Sequence, residues 1–461
     1  MRITLRVNCF RGRGKESGER ESMNSEYMSR FVTAETAAKA VRSGDWVDFG
    51  FGTGFPELMD KALAARAGEL TDVKIRGGLV YAPKIELLEA DPEHKAFTWY
   101  SWHIGAYERK KQAEGQIRFV PMLLRQVPFL YRQHYRVDVA VVPVSKPDAD
   151  GYCTFGAANY CFRTIMKAAK TVIFEVNEHY PVIPGPEGSN RAHVSEADLI
   201  VEGVHSPLPV QSYKAPTETE IRIAENVLAE IPDGATLGLG VGGVPFTVAN
   251  MIAGSGLRDL GCHTGTISDA YMAMFEAGKL TGANKSFDRG LMTWNLAAGS
   301  SEFFDWLQDH AALCRPDCLD YVHDPARIGQ LKNYVSINGG VAMDLMGQEN
   351  AETAGTRQLS GTGGQLDFLE GAFRSEGGRG YICLASARKA KDGSLVSNIV
   401  PFIPAGCTTS APRAMIENVA TEYGVAHLTG KTVRERAEEM IKVAHPQFRD
   451  ELRAYAEKAW K

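Results

Sequence analysis

His263 is the residue whose type and position in the sequence could support acid–base chemistry. It lies near the end of a predicted strand, residues 260–264, in the stretch GLGVGGVPFTVANMIAGSGLRDLGCHTG. An imidazole that titrates near neutral pH can take a proton from water, and such activation of water is the chemistry of hydrolysis. The alternative is a structural histidine that holds the next loop. Cys262 faces the other side of the strand by alternation and is predicted to lie in the core.

A glycine-rich loop before that strand is the candidate ligand-binding element. After a predicted strand, residues 235–239, and before a helix opened by Pro245, the chain reads Gly240, Val241, Gly242, Gly243, Val244. The N–H groups at a helix N-terminus lack intrahelical partners, so a glycine turn at that point is a natural anion site. In open α/β sheets, ligands bind at the carboxyl ends of the strands, where His263 is also expected. The alternative is a tight turn that needs only the backbone freedom of glycine.

The first half of the chain repeats this pattern. The segment GDWVDFGFGTGFP, which starts at Gly44, aligns with GATLGLGVGGVP, which starts at Gly234, with a difference of one residue in length. The repeat predicts two similar α/β domains joined near residues 206–220, with a ligand cleft between them. Chance similarity between two strand–turn–helix units is the alternative.

Further segments complete the predicted organisation. Continuous apolar runs such as VDVAVVPV from residue 137 and AKTVIFEV from residue 169 are typical of strands buried in a parallel sheet. A second glycine-rich loop, SGTGGQLDF, begins at Ser360, and two helices separated by a turn at residues 445–446 end the chain. We expect a disordered tail at residues 1–28, an N-terminal α/β domain at 29–210 and a C-terminal α/β domain at 217–461.

The composition narrows the classes of function. The chain has 461 residues and a formal net charge of -5, so no electrostatic signature of nucleic-acid binding is present. No apolar run approaches the roughly 18 residues that span a bilayer, and we expect no membrane partner. The eight cysteines are mostly scattered, and the one close pair, Cys314 and Cys318, has no second pair or nearby histidine at metal-ligand spacing. This pattern predicts reduced thiols, a cytoplasmic location and no metal. A homo-oligomer is left open.

Six segments, taken in order along the chain, carry a family resemblance: VDVAVVPVSKPDADGYCTFG, AAKTVIFEVNEHYPVIPG, LGLGVGGVP, YVSINGGVAMDLMGQENAE, SGTGGQLDFLEGA and TEYGVAHLTGKTVRERAEEMIKVAHPQFRDEL. Together they resemble the acetyl-CoA hydrolase/transferase family, the single-chain class I CoA-transferases that include the 4-hydroxybutyrate and butyryl-CoA:acetate CoA-transferases. The resemblance implies two open α/β domains with coenzyme A bound between them, and an acyl group that moves between CoA and a small carboxylate. It assigns CoA contacts to Gly240, Val241, Gly242, Gly243, Val244, Gly361, Gly363, Gly364 and Lys389. For Lys389 the alternative is a solvated charge in a basic run.

One position departs from the family pattern. Where the family carries His-Thr-Glu or His-Ser-Glu with the glutamate as nucleophile, this chain reads His263-Thr264-Gly265. The family's acyl anhydride and enzyme thioester therefore cannot form at residue 265. Asp269, which is predicted to begin a helix, and Glu349 are the candidate replacement carboxylates, and His263 is the candidate base for attack by water.

Three functions remain open on the sequence. The first is an acyl-CoA transferase or hydrolase that has replaced the usual nucleophile, with an acyl-CoA and a small carboxylate or water as substrates. The second is a CoA-ester hydrolase that opens a carbon–carbon bond in a ring on the same fold. The third is a CoA-binding protein without catalysis. Release of free CoA or exchange with a free acid indicates the first function. Ring opening indicates the second, and CoA binding without turnover indicates the third.

Overall fold

The computed structural model describes residues 29–211 and 214–461. The predicted disordered tail, residues 1–28, lies outside the described residues. Within those residues, the chain forms two eight-stranded sheets, one built from strands before residue 203 and one from strands after residue 235. The predicted α/β class with two domains is confirmed. The exact domain boundaries, at 210 and 217, stay predictions.

The first half contains β1 Phe31–Val32, β2 Trp46–Phe51, β3 Val73–Gly78, β4 Phe97–Ser101, β5 Ile117–Phe119, β6 Val137–Val144, β7 Tyr152–Thr154, β8 Ala169–Val176, β9 Arg191–His193 and β10 Leu199–Glu202. The first sheet is parallel throughout and is ordered β1-β10-β8-β6-β2-β3-β4-β5. Every residue of β6 is buried, as its largely apolar run predicts for a central parallel strand.

The second half contains β11 Thr236–Leu239, β12 Gly261–Ile267, β13 Met292–Ala297, β14 Cys314–Pro316, β15 Tyr334–Gly339, β16 Ala342–Asp344, β17 Glu349–Asn350, β18 Thr353–Ala354, β19 Arg357–Gln358, β20 Arg379–Cys383, β21 Ala387–Lys389, β22 Leu395–Ser397, β23 Ile399–Val400, β24 Asn418–Thr421 and β25 Gly424–His427. The second sheet is ordered β14-β13-β12-β11-β15-β20-β24-β25 and is parallel except for its last pair.

The α-helices connect the strands of both sheets. They are α1 Ala34–Ala38, α2 Glu57–Ala64, α3 Glu86–Ala90, α4 Ala106–Ala113, α5 Val127–Gln133, α6 Phe162–Ala168, α7 Glu218–Leu228, α8 Gly243–Ala253, α9 Asp269–Glu276, α10 Ser301–Asp309, α11 Leu319–Val322, α12 Pro325–Ile328, α13 Gln365–Arg374, α14 Val433–Val443 and α15 Arg449–Ala459. The two predicted C-terminal helices are α14 and α15, with a short 3₁₀ turn, Pro446–Phe448, between them.

The sequence repeat corresponds to one unit in each half. In the first half, β2 leads through a glycine loop and α2 to β3, which pairs beside it in parallel. In the second half, β11, α8 and β12 follow the same path. The strand predicted at residues 260–264 ends later than predicted, because β12 continues to Ile267 and pairs with β13 at Thr266 and Ile267. Gly265 therefore lies within this strand rather than after it.

The two halves meet along the second glycine loop. The N–H of Leu124 donates to the carbonyl of Gly363 at 3.1 Å, and Arg109 donates to the carbonyl of Leu359 at 2.8 Å. A side chain on Gly361 would overlap the carbonyl oxygen of Trp102, so only glycine permits this close approach. The loop thus lies at the junction of the first and second halves.

Candidate active site

A cleft of about 240 Å³ lies between the two halves, at the carboxyl ends of β11, β12 and β15. The first half lines it with Phe51, Leu79, His103 and Leu124. The second half lines it with both glycine loops and with the residues that follow the strand ends, which include Gly265, Asn338 and Gln365. This is the position that ligands occupy in open α/β sheets and between paired domains.

The first glycine loop contributes Gly240 and Val241 to the cleft. Helix α8 begins at Gly243, two residues earlier than predicted, and its N-terminus carries no side-chain cap. Gly242 has a φ of 148°, a conformation that L side chains rarely adopt, so this turn requires glycine. Gly243 and Val244 form the first turn of the helix and do not line the cleft. Their assignment as CoA contacts stays a prediction.

The second glycine loop contributes Gly361, Gly363 and Gly364 to the same cleft. Gly364 is the N-cap of α13, and no side chain caps that helix either. Helix α13 therefore begins at the cleft without a side-chain cap, whereas only the loop before α8 lines the cleft. Unpaired N–H groups at such ends favour anionic groups, which suits a phosphorylated ligand or a developing oxyanion.

Gly265 lines the cleft between the two loops. Its φ is outside the left-handed region, so its backbone does not require glycine. A Cβ at this position would lie 3.1 Å from Cε1 and 3.2 Å from Nε2 of His323, and 3.2 Å from the ring of Phe368. In the described part of the chain, none of the residues that line this cleft is an aspartate or a glutamate.

His263 does not line the cleft. Its ring is fully buried, and its Nε2 lies 2.8 Å from the carbonyl oxygen of Val322 in α11. Burial lowers the pKa of His263 to about 3, with Lys285 adding to the effect. A ring that is buried and neutral has no contact with water, which favours the structural reading. The catalytic role of His263 stays a prediction that this geometry does not support.

Asp269 also lies away from the cleft. It begins α9, as the sequence predicts, and its carboxylate accepts from the backbone N–H of Ser300 at 3.1 Å and from the Ser300 hydroxyl at 2.5 Å. Ser300 in turn caps α10 through the N–H of Phe303. The side chain of Asp269 is therefore engaged in joining two helices, and its role as nucleophile stays a prediction.

Glu349 is fully buried and lies behind Gln365, a residue of the cleft wall. Gln365, which lines the cleft, donates its side-chain amide to both carboxylate oxygens of Glu349, at 2.8 and 2.7 Å. Burial raises the pKa of Glu349 to about 8, although the amide of Gln365 opposes this shift. A carboxyl that is largely protonated at neutral pH is a weak nucleophile, so its predicted catalytic role requires a change in its surroundings.

Lys389 is exposed on the antiparallel hairpin β21–β22, which follows β20. It is not among the residues that line the cleft. Its contact with CoA stays a prediction.

The sequence interpretation missed two histidines that line the cleft, His103 and His323. His103 lies in the first half, with its Nε2 3.2 Å from the hydroxyl oxygen of Ser360. Burial, and then the charge of Arg109, lower the pKa of His103 to about 4. His323 follows α11, and its Nδ1 lies 3.3 Å from a carboxylate oxygen of Asp367. Neither residue belongs to a glycine loop or a predicted strand end, and only their proximity in space marks them.

A larger cleft of about 400 Å³ lies wholly in the first half, near Thr53, Lys61 and Glu175. The carboxylate of Glu175 accepts from the backbone N–H groups of Leu58 and Met59 in the first turn of α2. That carboxylate is occupied with a helix end, and no residue predicted from the sequence to bind or react lies in this cleft.

Two protein-family models match the chain. The N-terminal domain of the acetyl-CoA hydrolase/transferase family matches residues 15–211, and the C-terminal domain of that family matches residues 299–456. The chain belongs to the acetyl-CoA hydrolase/transferase family. This membership confirms the family predicted from the six sequence segments.

The chain aligns with similar proteins over nearly the whole length of both partners in each comparison. The chain is 40% identical over 446 residues to butyryl-CoA:acetate CoA-transferase of Anaerostipes caccae, covering 95% of this chain and 98% of that protein. It is 40% identical over 440 residues to a probable butyrate:acetyl-CoA coenzyme A-transferase of Syntrophomonas wolfei, covering 95% and 97%. The crystal structure of RipA from Yersinia pestis superposes with a TM-score of 0.86 at 32% identity, covering 95% of this chain and 99% of that chain.

The family assignment establishes the class of protein. This family member is an enzyme, a CoA-transferase or acyl-CoA hydrolase, and its substrate is an acyl-CoA. Among the residues described by the structure, no helix is both long and apolar enough to cross a membrane.

Proposed function

We propose that this enzyme binds acyl-CoA in the cleft between its halves and transfers the acyl group to water. The observation that carries the proposal is the chemistry of the cleft wall: in the described ranges, its lining residues include glycine at position 265 and no carboxylate. Transfer through an acyl anhydride needs a carboxylate that touches the thioester, because covalent catalysis requires the nucleophile within reach of the reacting carbon.

The two glycine loops support acyl-CoA binding in this cleft. The second loop ends in α13, which begins at the cleft without a side-chain cap, so N–H groups at that helix start are positioned for phosphates or for the oxyanion of a tetrahedral intermediate. The first loop brings the backbone of Gly240 and Val241 to the same cleft. Apolar residues such as Val241, Leu239 and Leu296 also line the cleft and suit the pantetheine arm or the acyl chain.

Transfer to a small carboxylate through Glu349 is the second candidate. It is favoured by one contact, because Gln365 both lines the cleft and binds the carboxylate of Glu349. Rotation of Gln365 would open a path from the cleft to Glu349. This route would make the enzyme a transferase like the relatives named butyryl-CoA:acetate CoA-transferase and butyrate:acetyl-CoA coenzyme A-transferase.

A panel of straight-chain, branched and cyclic acyl-CoA esters tests the choice. Free CoA is measured with a thiol reagent, and acyl exchange with acetate is measured separately by mass spectrometry. Hydrolysis predicts free CoA at the same rate with and without acetate. Exchange that depends on acetate, without release of free CoA, would reject hydrolysis in favour of transfer. Ring opening of a cyclic ketone ester without CoA release would instead identify carbon–carbon hydrolysis.

A further inference from the structure

His323 lies at the point of the cleft wall where Gly265 leaves space. The two residues meet because β12 and the segment that follows α11 pack together, and Nε2 lies 3.2 Å from the position that a Cβ on Gly265 would take. His323 is only 2% exposed, and this exposure is toward the cleft that it lines. In the described chain, no hydrogen bond is made to its Nε2. A ring nitrogen is therefore directed to the region that would hold the reacting thioester.

Asp367 holds the opposite side of that ring. Its carboxylate oxygen lies 3.3 Å from Nδ1 of His323, and the carboxylate is fully buried. The backbone N–H of Arg125 donates to Asp367 at 3.2 Å, and the Arg125 guanidinium lies 3.3 Å from it, so the first half of the chain fixes the carboxylate. A carboxylate beside Nδ1 favours the tautomer with its proton on Nδ1, which leaves the lone pair of Nε2 free to accept a proton.

His103, the other histidine of the cleft wall, is less suited to this role. Its Nε2 lies 3.2 Å from the Ser360 hydroxyl, and its Nδ1, like that of His323, is buried without a hydrogen-bond partner among the described residues. His323 differs because a carboxylate oxygen of Asp367 lies 3.3 Å from its Nδ1 and because its Nε2 faces the open position beside Gly265. The other titratable and charged groups around His323 are Asp367, Arg125 and His263.

We propose that His323 is the general base that activates water for thioester hydrolysis, and that Asp367 is the positioning residue that orients its ring. This inference rests on the proposed hydrolysis and adds the group that performs it. In this site, the imidazole of His323 and a water beside Gly265 take the place of the glutamate that the family pattern has at residue 265. The substrate class is an acyl-CoA whose acyl group fits beside Gly265 and Phe368.

Hydrolysis of the thioester passes through one tetrahedral intermediate. A water oxygen forms a bond to the thioester carbonyl carbon, while one O–H bond of that water breaks and its proton moves to Nε2 of His323. The tetrahedral oxyanion then collapses, the C–S bond breaks, and the thiolate of CoA takes the proton from Nε2. The products are a carboxylic acid and CoA with a free thiol, and His323 returns to its neutral form.

Removal of the imidazole tests the proposal. We expect His323→Ala to lower the rate of acyl-CoA hydrolysis by about a hundredfold to ten-thousandfold, the range typical of a general base, with CoA affinity close to that of the wild type. The melting temperature should fall by several degrees, because a buried ring that packs against Phe368 is removed. Added imidazole should restore part of the lost rate, because it can occupy the space beside Gly265. His134→Ala, which removes an exposed histidine of the first half, is the matched control and should retain full activity.

Two results would overturn the role of His323. One is hydrolysis by His323→Ala within threefold of the wild type. The other is a loss of activity that imidazole does not restore although CoA still binds. If His323→Ala does not fold, His323→Gln preserves volume and hydrogen bonding but lacks a basic nitrogen, and its activity decides the question by the same threefold criterion.

The role of Asp367 is separated from a purely structural one by a double-mutant cycle. Asp367→Asn alone should lower hydrolysis at least tenfold, since the ring loses its orienting partner. In the His323→Ala background the same change should cost less than twofold. Equal losses in both backgrounds would assign Asp367 to stability only. Absence of hydrolysis in the wild type, with exchange to acetate intact, would instead reject the proposed function itself.

Discussion

The side-chain amide of Gln365 donates to both carboxylate oxygens of Glu349, at 2.8 and 2.7 Å, so this carboxylate is held behind a residue of the cleft wall. If water attacks the thioester directly, Glu349→Gln should hydrolyse acyl-CoA within about threefold of the wild-type rate, because no bond to this carboxyl forms. Steady-state release of CoA measures the effect. Gln365→Ala, which opens the path to Glu349, is a useful companion variant. Loss of all turnover in Glu349→Gln would assign the chemistry to Glu349.

The buried Glu349 also predicts a pH dependence of stability. Because burial raises its pKa to about 8 in the fold, the folded state binds a proton between roughly pH 4.5 and 8 that the unfolded state releases. Its contribution to the free energy of unfolding therefore falls as pH rises through this window. The melting temperature of Glu349→Gln relative to the wild type should increase by a few degrees from pH 5 to pH 8. A constant difference across that range would contradict a raised pKa.

His263 is predicted to act in stability and not in catalysis. His263→Ala removes a ring that donates from Nε2 to the Val322 carbonyl and contacts Phe287 and Tyr334, so it should lower the free energy of unfolding by about 2–4 kcal/mol. Assayed at low temperature, the folded variant should keep the wild-type shape of its pH–rate profile. Loss of the acidic limb of that profile would restore His263 as a candidate base.

Val241 is a suitable probe of CoA binding because it is 51% exposed and lines the cleft. Val241→Asp adds a negative charge near the place expected for the anionic ligand and should weaken CoA binding about tenfold by calorimetry, with little change in melting temperature. Val210→Asp changes a valine that is 62% exposed outside this cleft and serves as the control. Equal CoA affinity in the two variants would contradict the proposal that CoA binds in this cleft. Substitution of Gly242 is a poorer probe, because its φ of 148° would strain any side chain.

Local pattern was enough to predict the framework of the fold. The largely apolar run Val137–Val144 predicted a buried strand with the bounds that are observed, because a strand buried on both faces needs apolar residues at nearly every position. Its one charged residue, Asp138, pairs with Arg136 and Lys170. The glycine-rich segments predicted the two loops of the cleft, since helix starts after sharp turns leave a clear signature in the sequence.

The chemistry of the site could not be predicted from local pattern. Alternation places His263 and Gly265 on the same face of β12, but it does not say which part of that face is covered. Packing of α11 buries His263 against Val322 and leaves Gly265 at the cleft. The approach of His323 to Gly265, and of Gln365 to Glu349, joins positions far apart in the chain and depends on the tertiary fold.

Gly265→Glu should convert the reaction toward transfer. The backbone at residue 265 accepts a side chain, and its Cβ requires His323 and Phe368 to move by a few tenths of an ångström, so we expect a melting temperature only a few degrees lower. The variant should gain acyl exchange with acetate, measured by mass spectrometry. Gly265→Gln has the same size without a carboxylate and should show no exchange. Equal exchange in the two variants would refute a role for the carboxylate.

The mass of the intact wild-type protein during turnover tests direct attack by water most directly. The protein is mixed with acyl-CoA, quenched in acid at intervals from milliseconds to minutes, and its mass is compared with the amount of free CoA. Direct attack predicts an unmodified protein mass at every time while free CoA accumulates. A protein heavier by CoA less one water, formed and consumed at the rate of turnover and located at Glu349 or Asp269, would contradict it.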